Sequence, residues 1–199
     1  MLLAHCMHCG WGYFQGMSDL GAIILSTLGA AQLPAAFWAF EGVLRDSEPN
    51  WSHEELRGVW MQARAVRAGL TVVDPALAAQ FRALDPGGGS TEQPMPFLFQ
   101  PLLLRLKREM SDYEQTRRLW EVCWAVGGLP FWLLVVVAYV RSQRAAVMRL
   151  PRKPSAMAEL QQVFIRLVGT LDAAPLLRAA RRLQAKRGVL DAVQSEIDR

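Results

Sequence analysis

From Val122 to Val140 the chain runs through nineteen residues without a charge. Such a stretch belongs either in the hydrocarbon of a membrane or in the middle of a protein core, and its length is near the lower limit for spanning a bilayer. Gly127, Gly128 and Pro130 divide it, leaving Leu129 to Val140 as the continuous apolar part. About a dozen residues suit a buried core helix better than a membrane span. A helix that is apolar on every side has to be enclosed by other elements. The rest of the sequence must therefore supply them.

What it supplies is helical. Met17 to Leu28 reads as an apolar helix ending near Gly29, and Phe37, Phe40 and Leu44 repeat at helical spacing behind Pro34. Ser52-His53-Glu54-Glu55 is a capping-box pattern opening a helix with Leu56, Val59, Trp60, Ala63, Val66 and Leu70 on one stripe. Asp74-Pro75 supplies a cap and first residue for the next helix. Asp85 to Pro96, rich in glycine and proline, reads as an internal loop, and Pro101 confines the following regular helix to residues from about there to Met110. Ser111 to Glu114 is a second capping-box pattern, while Ser155 and Asp172 are expected to cap later helices. No long alternating pattern of the strand type occurs, so the expected class is all-α.

At 199 residues the chain suits one domain with at most a small appendage. The net charge of +4 is modest, and the cluster Arg178, Arg181, Arg182, Lys186 and Arg187 is expected to form a solvated helix face. No nucleic-acid motif accompanies it, and nucleic acid is not an expected partner. Three cysteines, Cys6, Cys9 and Cys123, cannot all pair within the chain. Without a positively charged leader ahead of the first apolar run, reduced thiols and a cytoplasmic location are expected. His5-Cys6-Met7-His8-Cys9 crowds potential metal ligands together, but structural zinc takes four ligands, usually from two separated pairs. No second pair exists, so the segment is expected to pack on the core without metal.

Gly12-Tyr13-Phe14-Gln15-Gly16-Met17-Ser18-Asp19-Leu20 combines a neutral amide, flanking glycines and an apolar helix behind. Glycines let the chain turn and approach a partner closely. An amide held on such a turn can orient a water molecule, or it can satisfy nearby backbone. Local chemistry leaves both readings open.

Several segments together resemble the TBC domain, the helical GTPase-activating domain that acts on Rab-type small GTPases. Tyr13 to Met17 is similar to its Tyr-x-Gln-Gly-Met motif, and Ala36-Phe37-Trp38-Ala39-Phe40 to the aromatic helix that follows. Asp74-Pro75-Ala76-Leu77, Leu106-Lys107-Arg108-Glu109 and Arg118-Leu119-Trp120-Glu121-Val122-Cys123-Trp124 resemble further family segments in the same order. The resemblance implies an irregular multi-helix domain over residues 1–150, with the helices of 151–199 completing or extending it.

It also implies a GTPase activator rather than an enzyme with its own substrate. Gln15 would be the glutamine finger orienting the hydrolytic water, and Tyr13, Gly16 and Met17 would shape the turn that carries it. Asp19 stands at a polar position of the following helix start. GTP and Mg²⁺ would be carried by the partner, a Rab-family GTPase, and the chain itself would need neither cofactor nor metal. The implied location is cytoplasmic, peripheral on endomembranes, with no transmembrane segment.

The family's arginine motif, Ile-x-x-Asp-x-x-Arg, lies upstream of the glutamine motif and has no counterpart before Gln15. The expectation is a domain lacking its N-terminal portion, impaired alone because an arginine finger carries much of the rate. The alternative is a non-catalytic GTPase-binding or scaffold module. Gln100-Pro101 stands where the family usually has Arg-Trp, a departure on the surface that would face the GTPase.

Overall fold

The computed structural model describes residues 1–10, 12–51, 56–84, 95–153 and 155–199. Through them run α1 (Leu2–Cys9), α2 (Met17–Leu28), α3 (Leu33–Asp46), α4 (Arg57–Val73), α5 (Pro75–Leu84), α6 (Phe99–Leu103), α7 (Tyr113–Val126), α8 (Gly128–Ser142), α9 (Arg144–Met148), α10 (Ala156–Ile165), α11 (Ala173–Gln184) and α12 (Val189–Ile197). Short 3-10 turns occur at Ala30–Gln32, Glu48–Asn50 and Pro96–Leu98. No strand occurs among the described residues, and the one β-bridge among them sets Met110 beside Leu171. The fold is all-α, as the periodicity requires.

The apolar run becomes the central helix. Every residue of α8 from Phe131 to Val140 is buried. Helices α4, α7, α11 and α12 pack around it. Gly127 separates it from α7, and Gly128, its first residue, has φ 56°, a left-handed conformation that suits glycine. No single helix among the described residues is long and apolar enough to cross a membrane. Met17–Leu28 and Ala30–Asp46 reach that length and apolarity only jointly, across a bend of 106°.

Helix α4 buries more than one stripe. Val59, Ala63, Val66 and Leu70 are buried as expected, but so are Gln62, Gly69 and Val73, because α5, α6, α8 and α12 approach it from several sides. Burying Gln62 demands partners for its amide. Its Nε2 donates to Asn50 Oδ1 at 2.8 Å and its Oε1 accepts from Trp132 Nε1 at 3.3 Å, tying α4 to the preceding 3-10 turn and to α8. At Gly69 an added Cβ would lie 3.0 Å from Val193 Cγ2 and 3.2 Å from Val137 Cγ2, so the missing side chain lets α12 and α8 approach.

The expected caps divide. Asp74 Oδ1 accepts from Leu77 N at 3.1 Å, capping α5. Helix α7 is capped by Asp112, whose Oδ1 accepts from Gln115 N at 2.8 Å, in place of the expected Ser111. Ser111 instead donates to Asp172 Oδ1 at 3.0 Å, and Glu114 accepts from Arg117, so the box pattern is spent on other partners. Asp172 occupies the N-cap position of α11, but Gln115 Oε1, from α7, accepts from Ala173 N at 3.0 Å. Ser155 holds the N-cap position of α10 without a capping bond, its hydroxyl donating to Glu159. The Ser52–Glu55 pattern and residues 85–94 of the expected loop lie outside the described residues.

Gly69→Leu is expected to destabilise the chain by about 2 kcal/mol in urea unfolding, overpacking outweighing the better helix propensity of leucine. A double-mutant cycle with Val193→Ala should show the two costs failing to add, because both act on one contact.

Candidate functional site

The site begins with a tight turn ahead of α2. Met17 N donates to Phe14 O at 3.1 Å, and Asp19 N to Gly16 O at 2.9 Å. Gly16 has φ 112°, and a Cβ there would come within 2.8 Å of Leu104 Cδ2. The backbone conformation favours glycine at this position, and an added Cβ would also push the end of the Leu104 side chain aside. Beneath the turn Met17 is wholly buried, and Phe14 meets Trp51 edge-on at 5.8 Å. Above it Tyr13 and Gln15 are exposed, with the Tyr13 hydroxyl 3.3 Å from Ser18 Oγ. The Gln15 amide makes no hydrogen bond among the described residues.

Asp19, in the first turn of α2, does not face outward. Its Oδ1 accepts from Lys107 Nζ at 3.0 Å and from Arg108 Nε at 3.2 Å, and its Oδ2 accepts from Arg108 Nη2 at 2.9 Å. Burial alone would raise its pKa, but the hydrogen bonds from Arg108 and Lys107 outweigh it and hold the carboxyl below its ordinary value. The carboxylate raises the Arg108 guanidinium in return. With its amide oxygen turned toward Arg108, Gln100 accepts from Nε at 3.3 Å and from Nη1 at 2.6 Å.

Lys107 and Arg108 arrive there by an irregular route. The expected helix from Pro101 to Met110 does not form: α6 ends at Leu103, and Arg105 and Leu106 take φ of 49° and 55°. Left-handed backbone at non-glycine residues costs on the order of 1–3 kcal/mol each and persists only where the surroundings enforce it. Here Arg105 pairs with Asp46 at 2.7 Å, its carbonyl accepts from Trp120 Nε1 at 2.8 Å, and Leu106 is fully buried. Beyond it, the Arg108 carbonyl accepts from Gly169 N at 2.8 Å, and the Glu109 carbonyl from Leu171 N at 2.9 Å. The segment after α10 therefore holds the strained turn from behind.

Between the Tyr13–Gly16 turn and α6 lies an open groove of about 500 Å³, bordered by Gln15 on one side and Phe99, Gln100 and Arg108 on the other. Arg108 is the one arginine among the described residues lining it.

Residues 1–148 match the Rab-GTPase-TBC domain family. The chain belongs to that family. It is 34% identical over 152 residues to human TBC1 domain family member 17, covering 74% of this chain and 22% of that protein. It is 32% identical over 114 residues to Rab GTPase-activating protein 22 of Arabidopsis thaliana, covering 57% of this chain and 19% of that protein. The chain thus corresponds to about a fifth of each of these relatives' length. In this TBC domain the turn bearing Gln15, the groove beside it and the Asp19 ion pair form one connected site.

The His5–Cys9 segment forms the end of α1, where His5 alone is buried and Met7 and His8 are exposed. His5 is buried, its Nδ1 2.5 Å from Glu41 Oε1 and its ring edge-on to Phe40 at 5.4 Å. Cys9 Sγ lies 3.5 Å from Nε2 and 3.8 Å from Nδ1 of His5, nearly equidistant, so it sits on the lone-pair axis of neither nitrogen. Its thiol donates to the His5 carbonyl at 3.1 Å. Burial pushes the Cys123 thiol up to about 12, leaving it inert.

The Lys107 and Arg108 contacts were visible beforehand only as a charged cluster closing an apolar run, with no signal for a partner 89 positions away. Asp19→Asn is expected to cost about 1–2 kcal/mol at neutral pH, discounted for the half-exposed Arg108. Because the folded pKa is depressed, the wild-type advantage is complete above about pH 4 and disappears as pH falls through the folded value. Urea unfolding of both proteins at pH 7 and near pH 2 checks the sign.

Proposed function

We propose that this chain is a GTPase-activating module for Rab-type small GTPases, and that Gln15 orients the water that attacks the γ-phosphate. The observation that carries the reading is the exposed Gln15 amide, held on a fixed turn at a groove and free of internal hydrogen bonds among the described residues. An amide offers an oxygen acceptor and two N–H donors. It can accept a hydrogen bond from the water while donating to a neighbouring phosphate oxygen, which is positioning rather than proton abstraction. Tyr13 borders the contact surface. Gly16 and Met17 fix the turn from below, and Asp19 secures it to the Lys107–Arg108 segment.

GTP and Mg²⁺ enter with the partner GTPase, as its substrate and metal. The chain is then an activator completing the partner's active site, acting in the cytoplasm and peripherally on endomembranes. Residues 1–150 form its TBC region and the helices of 151–199 complete or extend it, and the packing of α11 on α8 and of α12 on α4 supports completion.

A second reading, binding without stimulation of hydrolysis, draws on Arg108. Phosphoryl transfer needs positive charge on the developing phosphate oxygens. The one arginine lining the groove among the described residues is already engaged by Asp19 and Gln100.

Single-turnover GTP hydrolysis across a panel of Rab-type GTPases separates these readings. Weak acceleration of at least one GTPase, lost in Gln15→Ala, is the expected result. Acceleration indifferent to Gln15→Ala would remove Gln15 from the mechanism. Saturable binding with no acceleration of any GTPase is the signature of the second reading.

A further inference from the structure

Phe99 and Gln100 also border a second cavity, of about 250 Å³, that the Gln15 groove does not use. Its walls are aromatic: Phe97 and Phe164 stack at 4.3 Å, and the Tyr139 ring stands 5.5 Å from Phe164. Four polar residues line it, Gln100, Gln161, Glu109 and Tyr139, of which Glu109 and Tyr139 are the buried pair. Glu109 is 3% exposed and Tyr139 fully buried. Neither Glu109 Oε2 nor Tyr139 Oη has a hydrogen-bond partner among the described residues. Buried polar atoms are ordinarily satisfied, and two orphans on one cavity call for an explanation.

We propose that this cavity binds the protonated nitrogen of an alkylammonium or guanidinium group, accepted by the Glu109 carboxylate and the Tyr139 hydroxyl and walled by Phe97 and Phe164. The chemistry selects a cation on two grounds. A carboxylate repels anions. A neutral donor would leave its charge buried and uncompensated, which is costly. The volume is below the range of about 300–1,000 Å³ typical of drug-sized ligands, so the site takes a head group and short stem.

Burial pushes the Glu109 carboxyl up to about 7, with the charge of adjacent Arg108 opposing that rise only in part. Burial and the Glu109 charge raise the Tyr139 hydroxyl as well, so it stays protonated. Glu109 and Tyr139 are the titratable groups among the described residues lining the cavity.

The test measures binding of n-butylammonium and n-butylguanidinium to the full chain by saturation-transfer NMR, with n-butanol as the neutral control. Both cations should bind saturably at pH 8 and n-butanol should not. Their affinity should fall about tenfold between pH 8 and pH 6, as Glu109 takes up its proton. Glu109→Gln should abolish binding and Tyr139→Phe should weaken it several-fold, both with an unchanged unfolding temperature. Failure of the cations to bind, equal binding of n-butanol, or undiminished binding to Glu109→Gln would overturn the proposal. If Glu109→Gln does not fold, the wild-type pH profile decides, and a flat profile overturns it. A blocked Gly-Lys-Gly peptide distinguishes the sources: tighter binding than n-butylammonium identifies a basic side chain of a polypeptide, weaker binding a free small amine. No GTPase takes part, so the outcome is independent of the GTPase-activating reading.

Discussion

The carboxylate of Asp19, gripped by Lys107 and Arg108, is the joint on which the site depends. The Gln15 turn has few contacts of its own, since a loop that must expose an amide cannot also bury it. Its position is fixed from two sides. Gly16 seats against Leu104, and Asp19 reaches the charged end of the same irregular segment. An ion pair with two donors and partial burial is stronger than the usual surface pair, because Arg108 is itself steadied by Gln100. The left-handed backbone at Arg105 and Leu106 delivers those donors. Its strain is borne by Asp46, Trp120 and the chain from Gly169 to Leu171. Residues far apart in sequence thus converge to hold one exposed amide.

That convergence relies on the core. Helix α8 is apolar on every face, so α4, α7, α11 and α12 must enclose it. Enclosure sets where α7 lies, and α7 carries Trp120, whose indole N–H donates to the Arg105 carbonyl. The C-terminal helices serve the same end. α11 covers α8, and the segment leading into it supplies the backbone donors behind Arg108 and Glu109. The core and the site are therefore one mechanical unit rather than a scaffold with a loop attached.

The periodic parts of this arrangement were legible in the sequence. The buried helix after Gly128, the α4 stripe and the Asp74 cap all follow from local pattern, whereas local chemistry left the Gln15 amide open between facing outward and satisfying backbone. What escaped depends on distant partners. Ser111 and Asp112 are equally plausible caps by composition, and the choice turns on Asp172, which claims the serine hydroxyl. Gln62 reads as a polar position and is buried because Asn50 and Trp132 complete its amide. The run after Pro101 reads as helix and is held out of helix by Asp46 and Trp120. Asp19 reads as a surface acid at a helix start, and only the fold places two cations on it. Glu109 and Tyr139 carry no shared signal at all, being thirty positions apart on different elements.

The central claim is that Gln15 acts on the transition state rather than merely touching the partner. Interactions that stabilise a transition state discriminate it from the ground state. The most direct measurement is the affinity of the chain for a Rab-type GTPase loaded with GDP and aluminium fluoride, compared with the same GTPase loaded with a non-hydrolysable GTP analogue. The account predicts tighter binding to the transition-state mimic, with that preference lost in Gln15→Ala. Equal affinity for the two states, or a preference that survives Gln15→Ala, would contradict it.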